Sequence, residues 1–236
     1  MSDWQPKRFW KEAKPQACDG GFEVLLDDRS VRTPAKAPLV VPTHALALAI
    51  ANEWDAQGEK VNPNTMPVTR GANSAIDKLG VQREEVIAML AEYGDSDLLC
   101  YRAAAPVELV KRQADSWDPM LDWAADTYGA RLFVGEGVMH VPQTSQALEK
   151  LRAEVCAFDN FALAAVHDLI SISGSLVLAL AVTRAAISPT EAFAISRIDE
   201  HWQIEQWGED EEAAAAEQVK LTAFENAARF YALSRA

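Results

Sequence analysis

The sequence has few basic residues for its size, and this shortage argues against two classes of partner. Its 236 residues include 22 Lys and Arg against 35 Asp and Glu, so the formal net charge at pH 7 is -13. Sequence-independent binding of nucleic acid needs basic surface that displaces counterions from phosphates, and anionic membranes attract basic segments. We therefore predict no nucleic-acid partner. A basic protein surface is the partner that this charge favours.

Cysteine and histidine are also scarce, which leaves little material for metal sites or disulfides. Cys18, Cys100 and Cys156 are far apart and form no CxxC pair, so neither a zinc site nor a disulfide scaffold is indicated. The four histidines are scattered and no HExxH motif occurs. We predict no metal, and we interpret the cysteines as small buried side chains in a reducing compartment.

Long hydrophobic runs are missing. The most apolar run, Leu176–Val182, is far shorter than the roughly 20 residues that cross a bilayer. The N-terminus has neither the apolar segment of a secretory signal nor the long Arg- and Ser-rich stretch of an organelle import sequence. These absences predict a cytoplasmic protein without membrane insertion.

Motifs for nucleotide binding and catalysis are absent as well. Gly135–Gly137 lacks the third glycine of a dinucleotide-binding loop, and no P-loop occurs. His167 and Ser171 have helical spacing, but the GxSxG turn of hydrolases is missing. Asp95 and Asp97 lack the remaining ligands of a calcium loop and are interpreted as turn residues. We predict no catalytic residues, no cofactor and no small-molecule substrate, with a small hydrolase-like enzyme as the alternative.

The first third of the chain has the patterns of a small sheet followed by a helix. Phe22–Leu26 and Ser30–Thr33 flank an Asp-rich turn and predict a hairpin. Thr43 is a suitable N-cap for a helix in which apolar side chains recur every four residues as far as Trp54. We expect Trp54 to have a structural role, in the core or between domains.

The remainder of the chain is mostly helical in pattern. We predict an α+β protein with a β-rich N-terminal domain over residues 1–64, including one helix, and an all-helical domain over residues 65–236. A boundary near residue 95 is the alternative. Residues 158–182 are apolar on most faces and predict a helix surrounded by others, whereas residues 131–141 predict a short hairpin or an extended excursion. Trp117 is expected to be structural.

The most distinctive segment is Ile198–Val219, which contains eight carboxylates, two tryptophans and neither Lys nor Arg. One-signed charge beside indoles indicates a docking surface, because a stabilised helix face usually mixes both signs. If one helix runs through Gly208, Trp202 faces inward. The opposite face then carries four predicted partner-binding residues: Glu200, Ile204, Trp207 and Glu211. The alternative is a solvated acidic helix end with a buried Trp207.

Seven short segments carry a resemblance to a known family. In chain order they are Leu26–Pro34, Asn52–Gln57, Met66–Thr69, Asp97–Arg102, Trp117–Pro119, Ser196–Glu200 and Gln206–Gly208. In order and spacing they resemble the assembly chaperones that handle the alpha subunit of the F(1) sector of the F-type ATP synthase. The resemblance implies a β-rich domain followed by an orthogonal helical bundle. Mitochondrial members carry His-Asp where this chain has Ala213–Ala216, so any role of that pair does not transfer.

The resemblance also implies a function. The expected protein is a non-enzymatic chaperone that binds free alpha subunit, prevents its aggregation and hands it on for assembly. An acidic residue late in the helical region is important in the family, and either Glu200 or Glu211 matches it. The lack of an import sequence implies a bacterial member in the cytoplasm, whereas eukaryotic relatives act in the mitochondrial matrix. A constitutive structural subunit of a larger complex is the second alternative.

Overall fold

The computed structural model of the chain describes residues 7–236. They group into two compact units, each discontinuous in sequence. The first contains the residues through Arg83 together with Asp159–Ala165 and Arg229–Ala236, and the second contains Glu84–Phe158 and Val166–Ala228. A small N-terminal sheet precedes a helical region, which confirms the predicted α+β class. The domain boundary predicted from the sequence stays a prediction, and the predicted absence of an import signal concerns in part residues 1–6, which lie outside the described residues.

A four-stranded antiparallel sheet lies in the first unit. Its strands are β1 (Ala13–Cys18), β2 (Gly21–Leu26), β3 (Arg29–Ser30) and β4 (Val40–Val41), and β2 pairs with all three others. The predicted hairpin is confirmed, since Leu26 pairs with Arg29 across the turn. Strand β1 was not predicted, because its sequence alternates poorly and includes Pro15, which a strand tolerates at a sheet edge.

Helix α1 (His44–Asp55) packs on this sheet. The Thr43 side chain accepts a hydrogen bond from the Leu46 amide at 3.1 Å, which confirms the predicted N-cap. Ile50 is fully buried, and Trp54 packs edge-to-face against Trp10 with ring centroids 5.2 Å apart. The structure therefore places Trp54, partly buried, against the core of the first unit.

Glu53 on the same helix caps helix α2 (Pro67–Asn73). Its carboxylate accepts hydrogen bonds from the amides of Val68 and Thr69, each at 2.7 Å, and from the Thr69 hydroxyl at 2.7 Å. Met66, which precedes α2, supplies no side-chain cap. Two of the segments that carry the family resemblance are thus joined by one carboxylate. A π-helical turn (Ser74–Lys78) leads from α2 into α3 (Leu79–Glu92).

The rest of the chain is largely helical. The helices are α4 (Val107–Tyr128), α5 (Ser145–Ala157), α6 (Asn160–Ser173), α7 (Leu176–Thr183), α8 (Pro189–Ser196), α9 (Ile198–Trp207) and α10 (Glu211–Arg235). The single helix predicted over residues 158–182 is two helices, because the chain turns at Gly174 with a φ of 72°. Within residues 7–236, no helix has both the length and the apolar character needed to cross a bilayer.

Residues 131–141 form an extended excursion and not the alternative hairpin. Strand β6 (Gly135–Glu136) pairs in parallel with β5 (Tyr101–Arg102) instead of with a neighbouring segment. A 3-10 turn (Leu98–Cys100) precedes β5.

Asp97, interpreted from the sequence as a turn residue, also links two segments of the chain through hydrogen bonds. It is fully buried, and its carboxyl oxygens accept hydrogen bonds from the Leu99 amide at 3.1 Å and the Val177 amide at 3.0 Å. Burial raises the pKa of Asp97 to about 6, because desolvation of the charge outweighs these hydrogen bonds. The carboxyl thereby ties the turn before β5 to the start of α7.

The cysteines only partly follow the prediction that they are buried. Cys100 is buried, and burial raises the pKa of its thiol to about 12. Cys18 is half-buried and Cys156 is exposed, so the prediction is wrong for Cys156. Sequence spacing alone did not reveal that Cys156 lies on the solvent face of α5.

Candidate functional site

Helices α9 and α10 form a hairpin that carries the acidic segment. Helix α9 ends at Trp207, because Gly208 adopts φ 93° and ψ 165°, a conformation that side chains rarely allow. Asp210 then accepts a hydrogen bond from the Ala213 amide at 2.8 Å and caps α10. The predicted helix through Gly208 is therefore wrong, and Trp207 and Glu211 do not share one helix face.

The hairpin is a peripheral part of the second unit. Every described residue from 199 to 223 keeps part of its surface exposed, whereas Ile198 before this stretch and Phe224 after it are buried. We call residues 199–223 the acidic arm. Such segments have low local stability, because few apolar contacts hold them. Polar contacts therefore contribute much of the arm's positioning.

Side-chain contacts with α4 and between its own two helices hold the arm. His201 Nε2 lies 2.7 Å from Glu217 Oε1 and links α9 to α10. Arg112 of α4 donates two hydrogen bonds to Glu205, at 2.7 and 2.9 Å, and this contact lowers the pKa of the Glu205 carboxyl. The Arg112 guanidinium also lies 5.0 Å from the ring centre of Trp202. Trp202 is half-buried there, on the side of α9 that faces α4.

Acidic residues at the base of the arm are engaged too. Gln113, which is buried, donates a hydrogen bond to Asp199 at 2.6 Å. Arg197 donates to Glu200 at 2.8 Å and forms an ion pair with it. Glu200, one of the predicted partner-binding residues, is therefore exposed but already paired with a neighbouring cation.

Trp117 supports this base from inside the second unit. Its side chain is 1% exposed, and its indole N–H donates to the Ile195 carbonyl at 2.9 Å. Arg102 stacks over its ring at 5.2 Å and pairs with Asp118 at 2.8 Å. The segments Asp97–Arg102 and Trp117–Pro119 meet through these contacts, so both support the fold.

The outer end of the arm is exposed, and its glutamates have no partners in the part of the chain that the structure describes. Trp207 is 80% exposed, so the alternative of a buried Trp207 is wrong. Glu209, Glu211 and Glu212 are exposed, and their side chains form no hydrogen bond or ion pair with any residue from 7 to 236. We call residues 207–212 the acidic tip. It combines one large apolar side chain with three uncompensated carboxylates.

Ile204 lies apart from the tip, in an open cleft between α9 and α10. The cleft has a volume of about 260 Å³. Its lining includes the apolar side chains of Ile204, Ala214 and Leu221 and, beside them, Glu209, Glu217 and His201. The four predicted partner-binding residues therefore occupy three places: Trp207 and Glu211 at the tip, Ile204 in the cleft, and Glu200 at the base.

The sequence did not single out Arg112, Gln113 or Glu209. Arg112 and Gln113 gave no signal, because each is about 90 residues from its partner in the arm. Glu209 belongs to the acidic run after Gly208. A glycine followed closely by a potential N-cap, here Gly208 and Asp210, is the sequence pattern that indicates a break between two helices.

The enzyme-like residues do not form a catalytic arrangement. His167 Nδ1 lies 2.9 Å from Asp168 Oδ1, and Ser171 is exposed on a regular helix without a strand-to-helix turn. Among the described residues, no group of three or more His, Cys, Asp or Glu side chains is close enough together to hold a metal ion.

The chain is similar to proteins of one family. Residues 7–125 match the family described as ATP12 chaperone protein. The mitochondrial protein atp12 of Schizosaccharomyces pombe is 25% identical over 219 residues, which cover 88% of this chain and 75% of the relative. The crystal structure of Atp12 from Paracoccus denitrificans is 52% identical and covers 97% of this chain and 98% of that one, with a TM-score of 0.94. A variant of that protein with one aspartate replaced by lysine is 51% identical over 99% of this chain and 100% of that one, with a TM-score of 0.96.

Proposed function

The chain belongs to the ATP12 chaperone family of ATP synthase assembly factors, and we propose that it binds the free alpha subunit of the F-type ATPase. In this role it prevents aggregation of the alpha subunit and hands it on for assembly of the F(1) catalytic sector. The family is one of chaperones and not of enzymes. We place the protein in the bacterial cytoplasm, in keeping with its solved relatives from Paracoccus denitrificans.

The observation that carries this proposal is the acidic tip. Tryptophan is highly buried on average in folded proteins, so a tryptophan that is 80% exposed beside three carboxylates without partners among residues 7–236 favours a binding surface. Tryptophan is among the residue types enriched at the energetic hot spots of protein interfaces. The carboxylates suit basic groups on a partner and steer its approach.

Within the proposed site, the four residues have different roles. Trp207 is the anchor, and Glu211 supplies an acidic contact from the same tip. Ile204 contributes from the cleft. Glu200 contributes less, because Arg197 already compensates its charge. This difference favours Glu211 as the important acidic residue of the late helical region.

We expect the purified protein to bind isolated alpha subunit and not the assembled F(1) sector, because assembly covers the surface that a chaperone protects. Co-purification with each, in the absence of ATP, measures this. Suppression of light scattering by alpha subunit at elevated temperature gives a second readout. Stoichiometric recovery of the protein in finished ATP synthase would instead indicate a constitutive subunit. Turnover of any ester or peptide that His167→Ala abolishes would indicate a hydrolase.

Charge-reversal variants distinguish the contribution of Glu211 to binding from that of Glu200. We expect Glu211→Lys to raise the Kd for alpha subunit by about tenfold, because a favourable contact becomes a repulsive one. Glu200→Lys is expected to act less, since its carboxylate is already paired. Folding should survive, because the relative with lysine in place of one aspartate keeps the same fold.

A matched control for these variants is Glu85→Lys, which changes the net charge equally at an exposed position on α3. It should bind alpha subunit as the wild type does. Wild-type protection by both Glu211→Lys and Glu200→Lys would show that the acidic assignment is wrong.

A further inference from the structure

We infer that the cleft between α9 and α10 receives an arginine side chain of the client protein. This inference rests on the proposed function and adds to it the chemistry of one contact. The cleft adjoins the acidic tip, where Trp207 is the anchor, and Glu209 belongs to both. It lies between the two helices of the arm, with Ile204 and Leu221 contributed by different helices.

The lining of the cleft matches both parts of an arginine side chain. Ile204, Ala214 and Leu221 provide apolar surface for its methylene groups. Glu209 and Glu217 provide carboxylates for its guanidinium, which forms charge-assisted hydrogen bonds with such groups. An apolar side chain would desolvate these carboxylates without compensation, and an acidic one would be repelled.

Lys220 is the one Lys or Arg of the arm, and within residues 7–236 it forms no ion pair or hydrogen bond with Glu209 or Glu217. Residues 199–219 contain no Lys or Arg, and Arg112, which reaches α9 from α4, is engaged by Glu205. Within the described chain Glu209 has no partner. Glu217 uses Oε1 to contact His201, which leaves its other oxygen available.

Charge complementarity selects a basic partner, and the chemistry of the guanidinium group favours arginine over lysine. The protein has a net charge of -13, and the arm carries eight carboxylates against one lysine, so a cationic side chain is drawn to it from solution. Guanidinium is planar, less strongly hydrated than ammonium and able to engage two carboxylates at once. Arginine is also enriched in protein interfaces, whereas lysine is depleted.

Filling the cleft tests the inference. We expect Ala214→Phe to raise the Kd for purified alpha subunit by about tenfold or more, because an interface side chain loses its pocket. The matched control is Ala215→Phe, which adds the same ring at the next, exposed position outside the cleft. This control should change the Kd by less than about twofold, as most peripheral interface positions do.

A second pair of variants tests the charge without adding bulk. Glu209→Gln should raise the Kd by about threefold to tenfold. Glu212→Gln, at a tip carboxylate outside the cleft, should raise the Kd by less, because this carboxylate steers the partner without contacting the guanidinium, and Glu85→Gln on α3 should leave the Kd unchanged. Thermal unfolding of each variant checks the fold. If Ala214→Phe fails to fold, the comparison of Glu209→Gln with Glu212→Gln decides.

Each outcome has a distinct meaning. If the wild type binds alpha subunit and the Ala214→Phe and Ala215→Phe variants bind it with equal affinity, the cleft is not a binding site. The proposed function would still stand. If Ala214→Phe weakens binding but Glu209→Gln and Glu212→Gln have the same Kd, the cleft receives an apolar side chain. That result overturns the assignment to arginine. Failure of the wild-type protein to bind alpha subunit contradicts the proposed function and this inference with it.

Discussion

Trp207→Ala is expected to raise the Kd for the alpha subunit by about 30-fold, which corresponds to about 2 kcal/mol, the threshold of an interface hot spot. The indole is 80% exposed in the free protein, so a client that covers it gains a large apolar burial. The free energy of unfolding should change by less than about 0.5 kcal/mol, because the side chain supports little of the fold.

Titration calorimetry with purified alpha subunit measures the first effect, and urea unfolding measures the second. Val219→Ala is the control, since Val219 is also apolar and 69% exposed but lies on α10 away from the tip. It should bind nearly as tightly as the wild type. The Kd of Trp207→Phe should lie between those of Trp207→Ala and the wild type, because phenylalanine keeps an aromatic ring. An affinity of Trp207→Ala equal to that of Val219→Ala would remove Trp207 as the anchor.

Glu53→Ala is expected to destabilise the protein by about 3 kcal/mol, because two amides at the start of α2 lose a charged acceptor. The carboxylate is held at 2.7 Å from the amides of Val68 and Thr69, and Thr69 is buried, so water replaces it poorly. Urea unfolding should show a lower midpoint at an unchanged slope. Hydrogen exchange at the Val68 and Thr69 amides should accelerate.

Glu59→Ala is the matched control for this effect. Glu59 is also acidic, but its contact with Lys7 is long, at 3.8 Å, and both side chains are largely exposed. Surface pairs of this kind contribute about 0 to 1 kcal/mol, so the midpoint should hardly move. Glu53→Gln should retain part of the stability, since its amide has one acceptor oxygen. A midpoint for Glu53→Ala equal to that of the control would show that Glu53 does not stabilise α2.

The segments that carry the family resemblance are explained mostly by the fold. Asn52–Gln57 and Met66–Thr69 meet through the Glu53 cap. Asp97–Arg102 and Trp117–Pro119 meet through the ion pair between Arg102 and Asp118. The resemblance to the family therefore lies largely in residues that hold the fold together. The acidic tip overlaps only the last segment, Gln206–Gly208, at Trp207 and Gly208.

The sequence alone determined the local and compositional features of this protein. The hairpin at Asp27, the N-cap at Thr43 and the excess of acidic charge each depend on neighbouring residues or on totals, so they can be predicted without knowledge of packing. The α+β class followed from the same local patterns. The family followed from the order of short segments.

Only the tertiary structure decided which carboxylates of the acidic arm are available. Four glutamates of the arm have identical chemistry but differ in their partners. Arg197 pairs with Glu200 and Arg112 pairs with Glu205. Neither Glu209 nor Glu211 has a partner among residues 7–236. Arg112 lies 93 residues from Glu205 in sequence, and no local pattern encodes such a pairing. The conformation of Gly208 likewise ended α9 and moved Glu211 off its face. The pair of Arg197 with Glu200 is local, three residues apart, but the exposure of the tip and the pairing of Glu205 depend on contacts between distant segments, so they are properties of the folded chain.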